Sequence, residues 1–354
     1  MHTPLHHQQH TFLPDPALPL ALFQSNPDYF MTPVHKLPLG RRGTLLVKDE
    51  RSRLGLSAFK ALGGIYAVSQ LIGKYWQEVS GQPLDPERLQ SKEIREFSSG
   101  LEFVCASAGN HGLAVARGAQ MFGAHARVHL ARTVPEAFSI KLRAMGATVI
   151  RSGADYEESV SLAQQDAQDR KAILLADGSW PGYLEPPALV MEGYTVMAEE
   201  LRNQLAAGSA WPSQVYLQAG VGGMAAAVAW MIRDNWPVQP EIVVVEPEAA
   251  PCLRESVRAG RAVRVSGPES NMGRLDCKEP SLLALEVLCR TADRFITVTD
   301  QQARNAEKEL AGHDLATTPS GAAGYAGWCA DADASNENRT ALIIVTEGAL
   351  WSSR

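Results

Sequence analysis

Between residues 101 and 345 the chain alternates short apolar runs with longer segments whose apolar residues recur every three to four positions. That is the pattern of strands alternating with helices. Runs at 103–105, 127–130, 148–150 and 172–175 predict strands, and 113–122, 135–145 and 156–169 predict the helices that connect them. Pro135 suits a first helical turn, where a backbone N–H is dispensable. The alternation resumes with a helix over 188–205, a strand over 215–218 and a helix over 224–232. Residues 242–245 and 342–345 are apolar throughout, as strands buried on both faces require. Between them the spacing predicts helices near 250–259 and 281–290, a strand over 295–298, a helix over 301–311 and another from Gly321. Strands joined by crossover helices make parallel, doubly wound units, so the chain reads as an α/β protein.

The first hundred residues break this rhythm. Residues 1–30 read as an irregular lead-in, and 32–38 as extended, because each proline biases its predecessor away from helix. A short strand over 44–48 is followed by a charged run, Asp49-Glu50-Arg51-Ser52-Arg53, and then by a helix continuing through Ile65, Tyr66, Val68 and Leu71. The polar stretch 76–96, with Gly81, Pro83 and Pro86, predicts a crossing between domains.

Length and composition narrow the classes. A chain of 354 residues predicts about two domains. A net charge of -6 excludes the basic face that a nucleic-acid or anionic-membrane partner requires. No apolar run is long enough to span a bilayer, and residues 1–10 lack the basic and apolar regions of a signal peptide, so a cytoplasmic enzyme or binding protein is expected. Five scattered cysteines without a CxxC pair read as reduced thiols. His2, His6, His7 and His10 read as a disordered polar tail, and neither they nor His125 and His129 form a metal motif; no metal is expected.

Candidate chemistry lies in four short stretches. Ser57-Ala58-Phe59-Lys60-Ala61-Leu62-Gly63-Gly64 places a lysine in apolar surroundings, with Ser57 able to cap the helix and the glycines allowing close approach. Against Phe59 and Leu62 the amine is expected to be partly desolvated and its pKa lowered, the condition for a nucleophile. Taken alone, the lysine reads as a surface residue whose stem lies along a helix face. Ala219-Gly220-Val221-Gly222-Gly223-Met224 joins a strand to a helix, so its backbone N–H groups and the helix dipole form a phosphate cradle. It is neither a Walker A loop nor a GxGxxG fingerprint, and a phosphate monoester fits better than a nucleotide. Ser107-Ala108-Gly109-Asn110-His111-Gly112 offers amides to a carboxylate and a side-chain amide to a cofactor. Thr346, directly after the last strand, offers one hydroxyl.

In that order these parts resemble the fold type II pyridoxal-phosphate enzymes, the superfamily of threonine dehydratase, cysteine synthase and tryptophan synthase β. The segment 48–64 is most similar to the diaminopropionate ammonia-lyase branch. Asp177-Gly178-Ser179-Trp180-Pro181-Gly182-Tyr183 resembles that branch's Asp-x-x-Trp-x-Gly-Tyr stretch, and Met191-Glu192-Gly193-Tyr194, Val245-Glu246-Pro247-Glu248 and Cys277-Lys278-Glu279-Pro280 are similar too. The resemblance implies two mainly parallel domains with pyridoxal 5'-phosphate in the cleft between them: a large cofactor-binding domain of residues 1–77 and 206–354, and a small inserted domain of 78–205. It implies that Lys60 carries the cofactor, that Asn110 bonds its phenolic oxygen, that Gly220, Val221, Gly222, Gly223 and Met224 hold its phosphate, and that Thr346 lies near the pyridine nitrogen. Ser107, Ala108, Gly109, Asn110 and His111 are placed on the substrate carboxylate, and Asp177 as a base opposite Lys60; on its own residues Asp177 reads equally as a turn cap.

The activity implied is β-elimination of ammonia from a small amino acid such as 2,3-diaminopropionate to give a 2-oxo acid, in a homodimer. A serine/threonine dehydratase, a β-replacement synthase of the cysteine synthase type and a non-catalytic binder are the alternatives. Two departures stand out. Ala108 replaces the branch's Asp and spells the loop as in threonine dehydratases, and Thr317-Thr318-Pro319-Ser320 lacks the Glu often found before Ser-Gly-Ala. Cys252 and Cys277 match positions that can pair in the ammonia-lyase.

Overall fold

The computed structural model describes residues 12–38, 43–208, 211–331 and 339–349. The histidines at 2, 6, 7 and 10 lie outside the described residues. In chain order the elements begin with α1 (Ala17–Gln24), β1 (Val34–Pro38), β2 (Thr44–Asp49), α2 (Lys60–Ser80) and α3 (Lys92–Ser98). An alternating stretch follows: β3 (Glu102–Ser107), α4 (Asn110–Phe122), β4 (His125–Leu130), α5 (Glu136–Ala144), β5 (Thr148–Arg151), α6 (Tyr156–Arg170) and β6 (Ile173–Leu174). After α7 (Glu185–Gly208) come β7 (Gln214–Gln218), α8 (Gly223–Asn235), β8 (Glu241–Pro247), α9 (Cys252–Ala259) and α10 (Leu282–Thr291). The last are β9 (Arg294–Val298), α11 (Asp300–Ala311), α12 (Pro319–Ala330) and β10 (Thr340–Val345).

The strands form two sheets. One has the order β1-β2-β10-β7-β8-β9 and the other β5-β4-β3-β6. Only the β1–β2 pair is antiparallel among the described strands. Leu342 of β10 pairs with Leu46 on one side and Val215 on the other, so the apolar run at 342–345 is covered above, below and along both edges. Helix α12 packs on one face of the larger sheet with α11 behind it. On the second sheet α4 and α6 both contact β3 and β4. This α/β architecture of mainly parallel strands is the expected one.

Several local expectations shift. Residues 17–24 are helical rather than irregular: α1 starts at a proline with no side-chain cap and buries Phe23, which packing against α7 pays for. The polar stretch 76–96 carries helix, since α2 runs on to Ser80, ends at Gly81 (φ 72°), and α3 begins under a Ser91 cap. The domain boundaries expected after 77 and 205 fall inside α2 and α7.

Ser57 does not cap α2. It sits at φ 61° and the N-cap is Phe59, without a side-chain bond. The start of α2 is instead held by backbone: Phe59 N–H donates to Thr346 O at 3.1 Å, and Gly348 N–H donates to Ser57 O at 2.9 Å. Gly63 and Gly64 serve helix packing. A Cβ on Gly63 would lie 2.5 Å from Tyr194 Cε1 and 2.6 Å from Val190 O, and one on Gly64 2.5 Å from Ala114 Cβ. Glycine lets α2 wedge between α7 and α4, and so sets where Lys60 emerges.

Candidate active site

The cleft between the two sheets is lined by Lys60 at the start of α2, by 107–111 after β3, by Asp177 after β6, by 218–224 after β7, and by Thr346 and Glu347 after β10. All these loops leave the carboxyl ends of parallel strands or feed helix N-termini, the usual ligand position in such sheets. This cleft is lined by every residue that the family resemblance assigned to cofactor or substrate.

Lys60 Nζ donates to Asp177 Oδ2 in an ion pair, with Nζ 5.5 Å from the Phe59 ring centroid and 5.9 Å from that of Tyr194. Tyr156 O–H donates to the other carboxylate oxygen at 2.9 Å. Asp177 is therefore an ion-pair partner and not a turn cap. The expected lowering of the Lys60 pKa is overturned. Burial is the largest single influence and pulls it down, but the charge and hydrogen bond of Asp177 together with Tyr194 and Cys277 outweigh it and leave the amine well above its ordinary range. In the same balance burial raises Asp177, and Lys60 with His111 and Tyr156 more than offsets it, so the carboxyl lies well below its usual range. The expectation considered only near neighbours in sequence, and the decisive partner is 117 residues away.

The glycine loop has the form of an anion cradle. Gly222 is at φ 103° and precedes the first residue of α8. The N–H groups of residues 220–224 donate to no protein acceptor among the described residues, whereas the flanking Ala219 N–H bonds Val245 O at 2.9 Å. A Cβ on Gly220 would come within 3.1 Å of Arg274 O, Leu275 Cα and Cys277 Sγ. Beneath the loop, Cys252 Sγ lies 3.6 Å from Gly220 O, and both Cys252 and Cys277 are free thiols pushed up by burial.

At the 107–112 loop, Ser107 Oγ accepts from Gly109 N–H at 2.9 Å and from Gly112 N–H at 2.8 Å. The Gly109 amide is thereby engaged, which leaves the amides of Asn110 and His111 in the first turn of α4 to meet an anion. Gly109, at φ 133°, is also where a Cβ would strike the Phe138 ring at 2.6 Å. His111 Nε2 lies 2.8 Å from Leu175 O, a group that only accepts, so this nitrogen carries the proton. Its Nδ1 is buried without a partner, and burial holds the ring's pKa down.

Thr346 Oγ1 accepts from Gln218 Nε2 at 3.3 Å, while Gln218 Oε1 is buried and unbonded. Buried polar atoms without partners are rare in finished interiors. Here Gln218 Oε1 and His111 Nδ1 belong to residues lining one cleft, beside five free amides. The donor set fits a phosphorylated group with further polar atoms and a carbonyl reactive toward a lysine.

Sequence reasoning assigned no role to Glu347, Tyr156 or Arg274, which also line the cleft. Asn110 Nδ2 donates to Glu347 Oε2, and Thr318 O–H to Glu347 Oε1. Thr318 also caps α12 through Gly321 N–H at 3.1 Å. The carboxylate near the Ser-Gly-Ala segment is thus supplied by Glu347, from a different strand end. No local pattern marks these residues, because each reaches the cleft through a long-range contact.

Comparison with known proteins agrees with this geometry. The family model described as "Pyridoxal-phosphate dependent enzyme" matches residues 26–347. Diaminopropionate ammonia-lyase of Salmonella typhimurium is 35% identical over 290 residues, covering 79% of this chain and 72% of that protein. The enzyme of the same name from Escherichia coli K12 is 34% identical over 262 residues, covering 73% of this chain and 64% of that protein, so the matched part is just under two thirds of its length. The crystal structure of the Escherichia coli enzyme in complex with D-serine superposes with a TM-score of 0.84 at 29% identity, covering 98% of this chain and 91% of that one. A probable D-serine dehydratase of Ectopseudomonas mendocina is 30% identical over 281 residues, covering 74% of this chain and 60% of that protein.

Proposed function

We propose, for a chain that belongs to the pyridoxal-phosphate dependent enzymes, that it is an ammonia-lyase: it removes a β-substituent from a small amino acid and releases a 2-oxo acid and ammonia. Its substrates belong to the class of 2,3-diaminopropionate and serine, which carry a leaving group on Cβ. The observation that carries this reading is the meeting of a half-buried, ion-paired lysine with five unspent amides in one cleft. When bound, pyridoxal phosphate supplies an electron sink conjugated to the substrate nitrogen, which acidifies the Cα proton.

Lys60 is the residue that holds the cofactor covalently. It is protonated in its pair with Asp177, so it must first give up a proton, and Asp177 is the adjacent acceptor. Once the cation is gone, the main influence opposing burial at Asp177 is lost and its proton affinity rises, which suits it to hold that proton. Lys60 Nζ then takes the Cα proton of an L substrate and Asp177 that of a D substrate. The amides of residues 220–224 would hold the phosphate, and Asn110 would bond the phenolic oxygen. Thr346 would offer the ring nitrogen a neutral hydroxyl, which would favour elimination over wider charge delocalisation. The 107–111 loop orients the carboxylate through its Asn110 and His111 amides, and Ala108 leaves that loop without a charged side chain.

A dehydratase acting on serine is the second reading, favoured by Ala108 and by the D-serine dehydratase relative. Screening D- and L-2,3-diaminopropionate, serine and threonine for 2-oxo acid formation separates the two. Borohydride treatment should fix the cofactor to Lys60, as read by peptide mass; covalent capture at any other lysine overturns the assignment.

The same reading takes residues 1–77 and 206–354 as the large domain and 78–205 as the inserted one, with the long α2 and α7 crossing the boundaries. Domain-wise proteolysis tests it. It also takes the enzyme as a cytoplasmic homodimer. The unbridged cysteines, and the absence among the described residues of a helix long and apolar enough to cross a membrane, support that location. Light scattering tests the assembly.

A further inference from the structure

The cleft holds more anion-binding capacity than one phosphate and one carboxylate use. Its charged lining consists of Lys60, Asp177, Arg274, Asp276 and Glu347. Lys60 and Asp177 neutralise one another. Asp276 accepts from Lys278 Nζ at 2.5 Å and from Ser270 N–H at 3.1 Å. Glu347 accepts from Asn110 and Thr318. Arg274 is the exception. Its side chain is 17% exposed, its Nε and Nη2 are buried without an acceptor, and its nearest charge is Glu347 Oε2, 3.7 Å away. The guanidinium lies 5.0 Å from the Phe138 ring centroid, and that same ring contacts Gly109 of the 107–112 loop. Arg274 therefore stands beside the loop that receives the substrate. Behind it opens a second cavity of about 630 Å³.

Leaving a buried guanidinium's donors unmet is costly, so such a group is normally bonded. With the cofactor phosphate on 220–224 and the substrate α-carboxylate on 107–111, both backbone cradles are filled, and Arg274, whose ion pair with Glu347 at 3.7 Å is too long for a hydrogen bond, still has two buried N–H donors without an acceptor. We propose that Arg274 is a specificity residue that binds an oxyanion on the substrate's side chain. The preferred substrate is then a small α-amino acid with a second negative group, either a phosphate leaving group on Cβ or a carboxylate attached to Cβ. A planar guanidinium with two free donors matches either one. This rests on the ammonia-lyase reading above.

The chemistry balances for both sources. With O-phosphoserine the Cα proton passes to an enzyme base, the Cβ–O bond breaks with its electron pair on phosphate, and one water replaces the nitrogen at Cα. The products are pyruvate, ammonia and phosphate. With 3-hydroxyaspartate the hydroxyl leaves as water and one water returns at Cα, giving oxaloacetate and ammonia.

The test uses the holoenzyme with both enantiomers of O-phosphoserine, 3-hydroxyaspartate, serine and 2,3-diaminopropionate. Wild type should show kcat/KM at least tenfold higher for one of the two doubly anionic amino acids than for the others, and which one it is names the source. In Arg274→Ala the ratio of anionic to uncharged-side-chain kcat/KM should fall at least tenfold, with part restored in Arg274→Lys. An unchanged ratio overturns the proposal, as does an equal loss on every substrate, which would place Arg274 on the α-carboxylate. Calorimetry with succinate and propionate, which lack an amine, tests Arg274 apart from turnover. Succinate should bind at least tenfold tighter than propionate in wild type and lose that margin in Arg274→Ala; equal binding in wild type overturns the proposal. If no amino acid yields a 2-oxo acid while succinate keeps its margin, the ammonia-lyase reading fails and the anion site stands.

Discussion

Two clusters of charge each join the segment from β2 to the start of α2 to a distant carboxylate, and they are built in opposite ways. The first joins Lys48, Glu50, Arg53 and Glu200, all nearly inaccessible. Arg53 bonds both carboxylates at 2.7 Å, Lys48 Nζ bonds Glu200 at 2.7 Å, Gln204 at 2.9 Å and Thr32 O at 2.8 Å, and Thr32 and Tyr29 donate to the carboxylates as well. Two cations meet two anions, and every donor of Lys48 is engaged. The second cluster is Lys60 with Asp177, surrounded by five amides, His111 Nδ1, Gln218 Oε1 and two Arg274 nitrogens without protein partners. Both contain a lysine pressed into apolar surroundings. A polar cluster that closes on itself ties α7 to β2 and to the turn that follows it. One that stays open awaits a ligand. Satisfaction of hydrogen bonds, and not charge, separates these two clusters.

The sharpest way to test that contrast is to remove a member of each cluster. Lys60→Ala should lower turnover by about 10³-fold or more, equivalent to about 4 kcal/mol in the barrier. Steady-state rates measure this, and urea unfolding of the same variant should show a smaller stability loss than its counterpart in the closed cluster. That counterpart is Arg53→Leu, expected to cost about 3–5 kcal/mol of folding stability because two carboxylates are left with one cation. Its turnover per folded molecule should stay within a few-fold of wild type. A reversal of these two patterns would break the comparison.

Gly222→Ala probes the open cluster without touching a charge. Its positive φ, and Leu253 and Ala284 at 3.1 Å from the added methyl, predict a loss of about 1–3 kcal/mol in stability. Weaker cofactor retention, followed by absorbance during dialysis, should accompany it.

The smallest effect is in pH dependence. Asp177 is held below its ordinary range and Lys60 above, so the pair's stabilisation is lost only as pH falls through the folded Asp177 value or rises through the folded Lys60 value. Cofactor-free wild type should gain no pH slope from this pair between about pH 5 and 9, because both partners keep their charge there. In Asp177→Asn, the charge and hydrogen bond that chiefly oppose burial are gone, and burial should take the Lys60 pKa below the unfolded value. The folded state then binds fewer protons, and stability should rise with pH between about 7 and 10, by at most ~1.4 kcal/mol per unit. Thermal unfolding across that range measures the slope, and a flat profile in the variant would show that Asp177 does not control the lysine.

Local patterns carried the reading of strands and loops because their causes are local. The apolar run at 342–345 is a strand in any parallel sheet, and the glycines at 220, 222 and 223 free backbone amides through their own conformations. Helix α1 escaped that reading because its short apolar face gains stability only against α7, and α3 because its polar face masks a buried Ile94. Ser57 looked like a helix cap, yet the backbone pairing with 346–348 overrode it.

What the chain determined by itself, then, was the alternation of elements and the three strand-end loops, since periodicity and turn chemistry act over a few residues. Charge state and hydrogen-bond satisfaction were decided by tertiary structure. Nothing in the sequence tells Lys48 from Lys60 until Glu200 closes around one and Asp177 faces the other. Arg274 is an ordinary loop arginine until the fold places it over Phe138 with its donors unspent. In a low-dielectric interior the partner sets what an ionisable group does, and these partners are brought close only by the folded chain.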